Sequence, residues 1–489
     1  MVLGKPSFCA GVRPVFIKVS SFVVSLHDGD QSEDRWIASA RVDARWTFVQ
    51  AAWGEKRVTL GYTLANEAQT AATRRDESPD IVRLVLGDAS ELEGDRADQC
   101  LCYAVTLAID LSRRVIEFTG SVVGLPPIFY AMTAHGVAAA SDIRTLIQLP
   151  GVISHLDANS VSDVFRFGYP LHSRTMFRQV AMLTAGYRLA IYADGHSRRA
   201  KSWNLPDETS ALGQRDLLAL QVENFRQAIR AASANEAFLS LTAGLDTRAI
   251  LAALIADGQR IPACTLTGPN RSIDSRAAQA LCNHYGWPHV DAVLDDRFLS
   301  DLPRYVLDAS KLSGGITSLG QAHEVYFYRT VAQLGRYRIS GNVGNQLGRF
   351  GMEGASLRNG DITVLAPALG VDASSARGHH WLDKALSDAG GRALGVLLQQ
   401  EVPFALVANY SIGQSFATQM SPYAKGAVIE SAMTASLCNR DRSYSQPATR
   451  FRDVKYRFLG PSRTRSFQCA LVAASGGYVA KRPVNWGGG

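Results

Sequence analysis

The sequence predicts an α/β chain in two parts: a β-rich, sandwich-like N-terminal half, then a doubly wound parallel sheet with a helical C-terminal part. Three observations predict it. Up to about residue 200, short runs rich in β-branched and aromatic residues are broken by Gly, Pro and Asp. From about residue 214, apolar strand-like runs alternate with amphipathic helical ones, the pattern of a parallel sheet. From about residue 380 the periodicity reads mainly helical.

In the first half the strand-like runs are "RWTFVQAAW", "RVTLGYTL", "CLCYAVTLAID", "RVIEFTGSV", "IFYAMTA" and "GVAAASD". Helical patterns follow at "SDIRTLIQL" and "LDANSVSDVFRFG", the second with Asp157 or Asn159 placed as N-cap. The polar segment "SRRAKSWNLPDETSALG", Ser197 to Gly213, has no sustained period and carries Pro206, so the division into residues 1–205 and 206–489 is placed there. Beyond it come the amphipathic helix "RDLLALQVENFRQAIRAASA", the strand "AFLSLT" and the helix "TRAILAALIADG", closed by Gly258. The strand "IPACTLTG", the helix "SIDSRAAQALCNHYG" closed by Gly286, and the strand "VDAVL" continue the alternation. After "HEVYFYRTVAQLG" and the strand "RYRISG" a second glycine-bearing loop appears, "SGNVGNQLG".

With 489 residues the chain is too long for one ordinary core, and 46% hydrophobic against 19% charged residues describes a globular protein. No apolar run reaches the roughly 18–20 residues that span a bilayer, and the first 30 residues lack the layout of a signal peptide. A cytoplasmic enzyme without a membrane partner is the expectation. The seven cysteines, Cys9, Cys100, Cys102, Cys264, Cys282, Cys438 and Cys469, form no CxxC pair and no zinc-type cluster, so reduced, mostly buried thiols are expected. Net charge is +7, yet residues 438–489 alone hold ten Lys or Arg against two Asp. Between residues 440 and 465, where eight of those cations lie, the aromatics Tyr444, Phe451, Tyr456 and Phe458 are too few and irregular for base stacking, which argues for small-molecule phosphate and against nucleic acid as the partner.

Chemistry concentrates in "SLTAGLDTR", Ser240 to Arg248, between a buried strand and a helix. A helix N-terminus after a strand presents N–H groups with the positive end of the dipole behind them, and anions bind there. Ala243 and Gly244 let a phosphate approach the backbone, Thr242 and Thr247 offer hydroxyls, and Asp246 fits a phosphate site if a magnesium ion is shared with the ligand. A plain tight turn capped by Asp246 or Thr242 accounts for the same pattern. The loop is neither a Walker sequence nor a dinucleotide fingerprint.

"SLTAGLDTR" resembles the SGGxDS pyrophosphatase loop of the asparagine synthetase superfamily, and "SGNVGNQLG" stands where those enzymes carry an SGxGxDE-like pattern. Upstream, "VIEFTGSVVGLPPIFYAMTAHGVAAASDIRTLIQLPGV" and "FRFGYPLHSRTMFRQVAMLTAGYRLAIYADG" resemble the second half of the amidotransferase domain preceding the synthetase domain in that superfamily. The resemblance implies an Ntn-hydrolase-like, glutamine-amidotransferase-type sandwich over residues 1–205. It also implies an adenylating ATP pyrophosphatase domain over 206–489, with ATP and Mg2+ as cofactors. Leu239, Ser240, Thr242, Ala243, Gly244, Leu245, Asp246, Thr247, Leu266, Gly341, Gly344 and Lys455 are then the ATP- and pyrophosphate-binding positions, and Asp246 and Asn345 the metal positions. "GGYVAKRPVNW" resembles the ending in which a Lys stabilises charge during amide formation, which makes Lys481 the catalytic candidate.

Departures from the pattern narrow this. A glutaminase needs a cysteine at the mature N-terminus, whereas the chain starts Met1, Val2, Leu3, and Cys9 would serve only after loss of an eight-residue propeptide. A glutaminase-dead domain kept as scaffold is expected. Asn342 is the second catalytic position that the resemblance implies; it stands where β-lactam and carbapenam synthetases have a Tyr, and since an amide is no general base, a base-dependent ring closure of their kind is not expected. Asn345 replaces a metal-binding Asp, leaving Asp246 as the main carboxylate. The closest resemblance is to lasso-peptide macrolactam synthetases. It implies adenylation of an Asp or Glu side chain of a precursor peptide, attack by the peptide's N-terminal amine, and partners that include a leader-peptide protease and a leader-recognition protein. A β-lactam-synthetase-like or asparagine-synthetase-like ligase of a small amino-acid derivative, and a non-catalytic scaffold, are the alternatives.

Overall fold

The computed structural model describes residues 17–27, 46–53, 55–64, 81–87, 103–133, 136–167, 169–170, 172–203, 214–233, 236–315, 321–344, 346–347, 384, 387, 398–399, 402–438, 466–474 and 477–481. The division placed at 205/206 lies outside the described residues.

The N-terminal part contains β1 (Ile17–His27), β2 (Trp46–Trp53), β3 (Lys56–Leu64), β4 (Ile81–Gly87), β5 (Ala104–Asp110), β6 (Val115–Thr119), β7 (Phe129–Thr133) and β8 (Gly136–Ala140). Then come α1 (Ile143–Ile147), α2 (Ala158–Phe167), β9 (Val180–Met182), β10 (Tyr187–Tyr192) and β11 (Ser197–Lys201). The β5–β6 turn is set locally: the Asp110 carboxylate accepts from Ser112 Oγ at 2.7 Å and Arg113 N at 2.8 Å, closing the chain without glycine. At α2, Asp157 is the cap, accepting from Asn159 N at 3.0 Å.

All eleven described strands of this part belong to one sheet, branched at β1. That strand pairs in parallel with β4 over Ile17–Val19 and antiparallel with β8 over Val23–Leu26, while β3 runs antiparallel along its other edge. The sheet folds over itself. In pairing order β6 is three strands from β1, about 14 Å on a flat sheet, yet the Phe22 and Phe118 rings lie 6.0 Å apart. Between the wings sits an apolar cluster that includes Leu26, Leu60, Leu84, Leu107, Ile116 and Ile191. The expected sandwich-like layering is thus made by one sheet folded over its own core.

The second part runs α3 (Gln214–Ser233), β12 (Ala237–Ser240), α4 (Leu245–Ala256), β13 (Ala263–Thr267), α5 (Ile273–Tyr285), β14 (His289–Val293), α6 (Asp296–Ser300), α7 (Leu302–Ser313), α8 (Ala322–Val331) and β15 (Tyr337–Ile339). It ends with α9 (Val402–Gln414), β16 (Thr418–Met420), α10 (Gly426–Cys438), α11 (Ser466–Ala474) and α12 (Gly477–Lys481). The five strands are parallel in the order β14-β13-β12-β15-β16. The chain builds outward from β12 through β13 to β14, then returns to the opposite edge of β12 as β15. That reversal is a topological switch point, and the loops leaving β12 and β15 flank the crevice where doubly wound sheets bind ligands. β16 adds a strand to the mainly helical C-terminal part.

Helix α4 is buried on every side from Thr247 to Leu254, as expected of a helix between a sheet and further helices. Each wholly buried Leu or Ile there contributes about 1.5–3 kcal/mol. The two parts share a core: Leu125 and Met182 belong to the same buried cluster as Phe225, Leu251 and Val407. Across this junction Tyr169 stacks on Phe404 with centroids 5.9 Å apart, and Tyr103 meets Tyr410 edge-on at 5.3 Å. Among the described residues no helix is long and apolar enough to cross a membrane.

Candidate functional site

β12 delivers Ser240, and five residues later α4 begins, with Gly244 as an extended N-cap (φ −67°, ψ 149°) that supplies no side-chain cap. Thr242 and Thr247 brace the intervening loop. The Thr247 hydroxyl accepts from Thr242 N at 3.1 Å, the two threonine oxygens are 2.9 Å apart, and Thr242 Oγ1 accepts from Gly244 N at 3.1 Å. Ala243 N donates to Asp274 Oδ1, in the first turn of α5, at 2.8 Å. The N–H groups of Thr242, Ala243 and Gly244 are thus engaged within the protein. An anion at this loop would meet the first-turn N–H groups of α4, which have no partner inside the helix, with the positive end of the dipole behind them.

The second loop leaves the adjacent strand and folds directly against the first. A β-carbon at Gly341 would come within 3.1 Å of Asp246 Cβ and 3.2 Å of Thr247 Cγ2, and one at Gly344 within 3.0 Å of Asp246 Cγ. A side chain at either position would push its neighbours on the first loop aside by a few tenths of an ångström. Val343 between them has φ 71°, a left-handed conformation that a β-branched side chain rarely adopts. Such strain is held only where the surroundings over-determine it, and Val343 is buried in the shared core.

Asp246 sits at the centre. Its backbone carbonyl accepts from Tyr423 OH at 2.8 Å, and Oδ1 accepts from Gln468 Nε2 at 2.9 Å. Gln468, on α11, also reaches Gly344 O at 3.4 Å, so one side chain touches both loops. Tyr423 and Gln468 are each 0% exposed. Among the described residues no group of three or more His, Cys, Asp or Glu side chains converges as a metal site. A magnesium ion would accordingly be held by Asp246 together with phosphate oxygens, a donor set that suits it. The carboxylate, the glycine-walled space beside it and the buried Gln468 Oε1, which has no donor among the described residues, fit that group.

Thr242, Ala243, Gly244, Asp246, Thr247, Gly341 and Gly344 thus form one cluster, with Leu245 opening α4. Asn342 lies in the second loop, half-buried, and its backbone carbonyl accepts from Ser421 Oγ at 2.6 Å. Leu239 is wholly inside the core beneath the loop, and Leu266 packs with the apolar cluster on the far face of the sheet. Asn345 and Lys455 lie outside the described residues, as does the Lys481 side chain, whose backbone ends α12.

Ser240 belongs to a buried polar platform behind the loop. Its Oγ accepts from Arg338 Nε at 2.7 Å, and Arg338 also hydrogen-bonds Tyr328 OH, which donates to Gln419 Oε1 at 2.8 Å. Glu324 stands 4.0 Å from the guanidinium. Burial alone would pull the Arg338 pKa down, but Tyr328, Glu324 and Cys264 around it raise it and keep it charged. Burial pushes the Cys264 thiol up to about 12 against the pull of Arg338, so it is no nucleophile. Beneath the loop, Thr265 Oγ1 donates to Leu241 O at 2.7 Å and therefore accepts from His289 Nε2 at 2.9 Å, which places a proton on Nε2.

Asp274, Ser421, Tyr423 and Gln468 are the residues that sequence reasoning missed. Asp274 carried a signal, as an acid in the first turn of the helix after the neighbouring strand. The others belong to no motif.

The solved structures to which the chain is similar include three enzymes. A glutamine-dependent NAD+ synthetase from Acinetobacter baumannii in complex with adenosine diphosphate has a TM-score of 0.20 and 15% identity over 35% of this chain and 32% of that one. An NMN synthetase from Francisella tularensis has a TM-score of 0.21 and 14% identity over 49% and 100%. An NAD+ synthetase from Burkholderia pseudomallei has a TM-score of 0.19 and 14% identity over 48% and 91%. The matched region spans about a third of the length of the first of these. No curated protein matches the chain. Residues 103–203, from just before β5 to just after β11, match the family of glutamine amidotransferase domains.

Proposed function

We propose that the chain is an ATP-dependent amide-bond ligase that converts a carboxylate to an acyl-adenylate, releases pyrophosphate, and lets an amine displace AMP. The observation that carries this reading is the meeting of two glycine loops at a switch point of a parallel sheet, with the Asp246 carboxylate between them. In this role the α4 N-terminus binds the phosphates and Asp246 holds the magnesium ion that they share. The ion, when bound, neutralises phosphate charge as pyrophosphate leaves. Lys481 would act on the charge developing as the amine attacks. The amidotransferase-type region contributes packing through Tyr103, Tyr169 and Met182, and in this reading the attacking amine is the substrate's own.

The substrate that best suits such an enzyme is a precursor peptide freed of its leader. Its Asp or Glu side chain would be joined to its N-terminal amine as a macrolactam of the lasso type. A leader protease and a leader-recognition protein would supply it. Orientation of the two ends would provide much of the rate.

The test is isotope exchange between pyrophosphate and ATP in the presence of leaderless peptides with a free amine and an internal acid. Exchange that needs the acid, and is lost in Asp246→Ala with the fold intact, supports the proposal. Exchange with a small amino-acid derivative but no peptide would place the substrate in the alternative class. No exchange with any carboxylate would refute the adenylating reading.

A further inference from the structure

Gln468 is a buried amide in an unusual position. It lies on α11, which packs against α4, and its side chain is wholly enclosed. Both neighbours of its side-chain nitrogen are oxygens, Asp246 Oδ1 at 2.9 Å and Gly344 O at 3.4 Å, which identifies that end as the NH2 donor. The other end, Oε1, is buried without a donor among the described residues. The two ends of an amide are about 2.3 Å apart, so Oε1 stands within roughly 5 Å of Asp246 Oδ1. A buried acceptor without a partner is costly, and a water, an ion or a ligand is what completes one when it is kept.

We infer that Gln468 is a positioning residue for the cation shared between Asp246 and the nucleotide. Its NH2 group fixes the carboxylate in one orientation and ties it to the backbone of the second loop, while Oε1 accepts from the hydration shell of the cation. A carboxylate that binds a metal works best when its other contacts are themselves hydrogen-bonded, and removing such a contact typically lowers metal affinity about 10–100-fold. The tie also joins the two loops: Gly344 O and Asp246 Oδ1 share one donor group. This inference rests on the reading of Asp246 as the carboxylate that holds magnesium on ATP.

Calorimetric titration of ATP into the full chain at a series of magnesium concentrations tests it without turnover. Gln468→Met keeps the length and apolar stem but neither donates nor offers a carbonyl. The expected result is a 10–100-fold rise in the magnesium concentration that half-saturates ATP binding, with metal-free ATP binding and the thermal midpoint little changed. On an Asp246→Asn background the same substitution should add nothing, which a merely structural role would not produce. Equal magnesium dependence in wild type and Gln468→Met overturns the inference while leaving the ATP site in place. No magnesium-dependent ATP binding in the wild type overturns the ATP reading itself, and with it the inference. Should Gln468→Met not fold, Gln468→Glu decides: with the NH2 donor gone and a second carboxylate beside Asp246, magnesium alone should raise its thermal midpoint, and no such rise overturns the inference.

Discussion

Gly344 lies against Asp246 so closely that a β-carbon at the glycine would sit 3.0 Å from the carboxylate carbon and 3.0 Å from Tyr423 Cε2. Gly344→Ala therefore moves either the carboxylate or the Tyr423 ring, and the ring is packed on Phe225 with centroids 4.7 Å apart. The carboxylate is the softer neighbour. The variant should fold with a stability loss of about 1–3 kcal/mol, while magnesium-dependent ATP binding falls at least about tenfold. Calorimetry and thermal unfolding on the same sample check both halves.

His289 gives the fold a pH dependence. Its side chain is 3% exposed, and burial holds its pKa below the ordinary 6.5, outweighing the opposing pull of Asp291. With the folded value depressed, the unfolded chain takes up the proton first as pH falls. The stabilising contribution is full above 6.5 and is lost as pH drops through the folded value. His289→Gln keeps a donor for Thr265 Oγ1 and removes the titration. Between about pH 7.5 and pH 5 its thermal midpoint should fall less than that of the wild type.

Arg338→Met should cost about 3 kcal/mol, because it removes the guanidinium beside the enclosed Glu324, leaving His323 as its ion-pair partner among the described residues, and takes the donor from Ser240 Oγ. Glu324 is held below the usual carboxylate range: burial pushes it up, but the His323 hydrogen bond and the Arg338 charge outweigh that. Adding Glu324→Gln to Arg338→Met should recover part of the loss. A double-mutant cycle by urea unfolding measures the coupling.

Cys264 and Cys282 should resist alkylation in the native protein. Burial pushes both thiols up to about 12, with Cys264 adding to the effect at Cys282, so almost no thiolate exists near neutral pH. Mass spectrometry after iodoacetamide treatment should find both unmodified until denaturant is added.

Much of the second part was legible in the sequence because its elements are local. The apolar runs of β12 and β13, and the glycines that end α4 and α5, each announce themselves within a dozen residues. The two loops were legible for the same reason. β1 is less so, since Phe22 to His27 are buried on both faces and serine and histidine interrupt the apolar run, leaving no alternation to read. β16 is three residues long and exists because β15 offers it an edge. The fold-over of the N-terminal sheet depends on β1 sharing partners at its two ends, a property of pairing rather than of any one segment. Within the site, the loop's internal hydrogen bonds follow from Thr242 and Thr247, but Tyr423 and Gln468 arrive through packing from helical regions that carry no polar motif.

Gln468 and Asp246 are 222 positions apart in the chain. During synthesis, the glycine loops emerge long before the helix that steadies their carboxylate. A nascent chain halted between Gly348 and Ser466 would carry every recognisable motif of the two loops and yet lack the Gln468 donor to Asp246. Possession of the motif and competence to use it are separate events in the life of this polypeptide, and the second waits on α11.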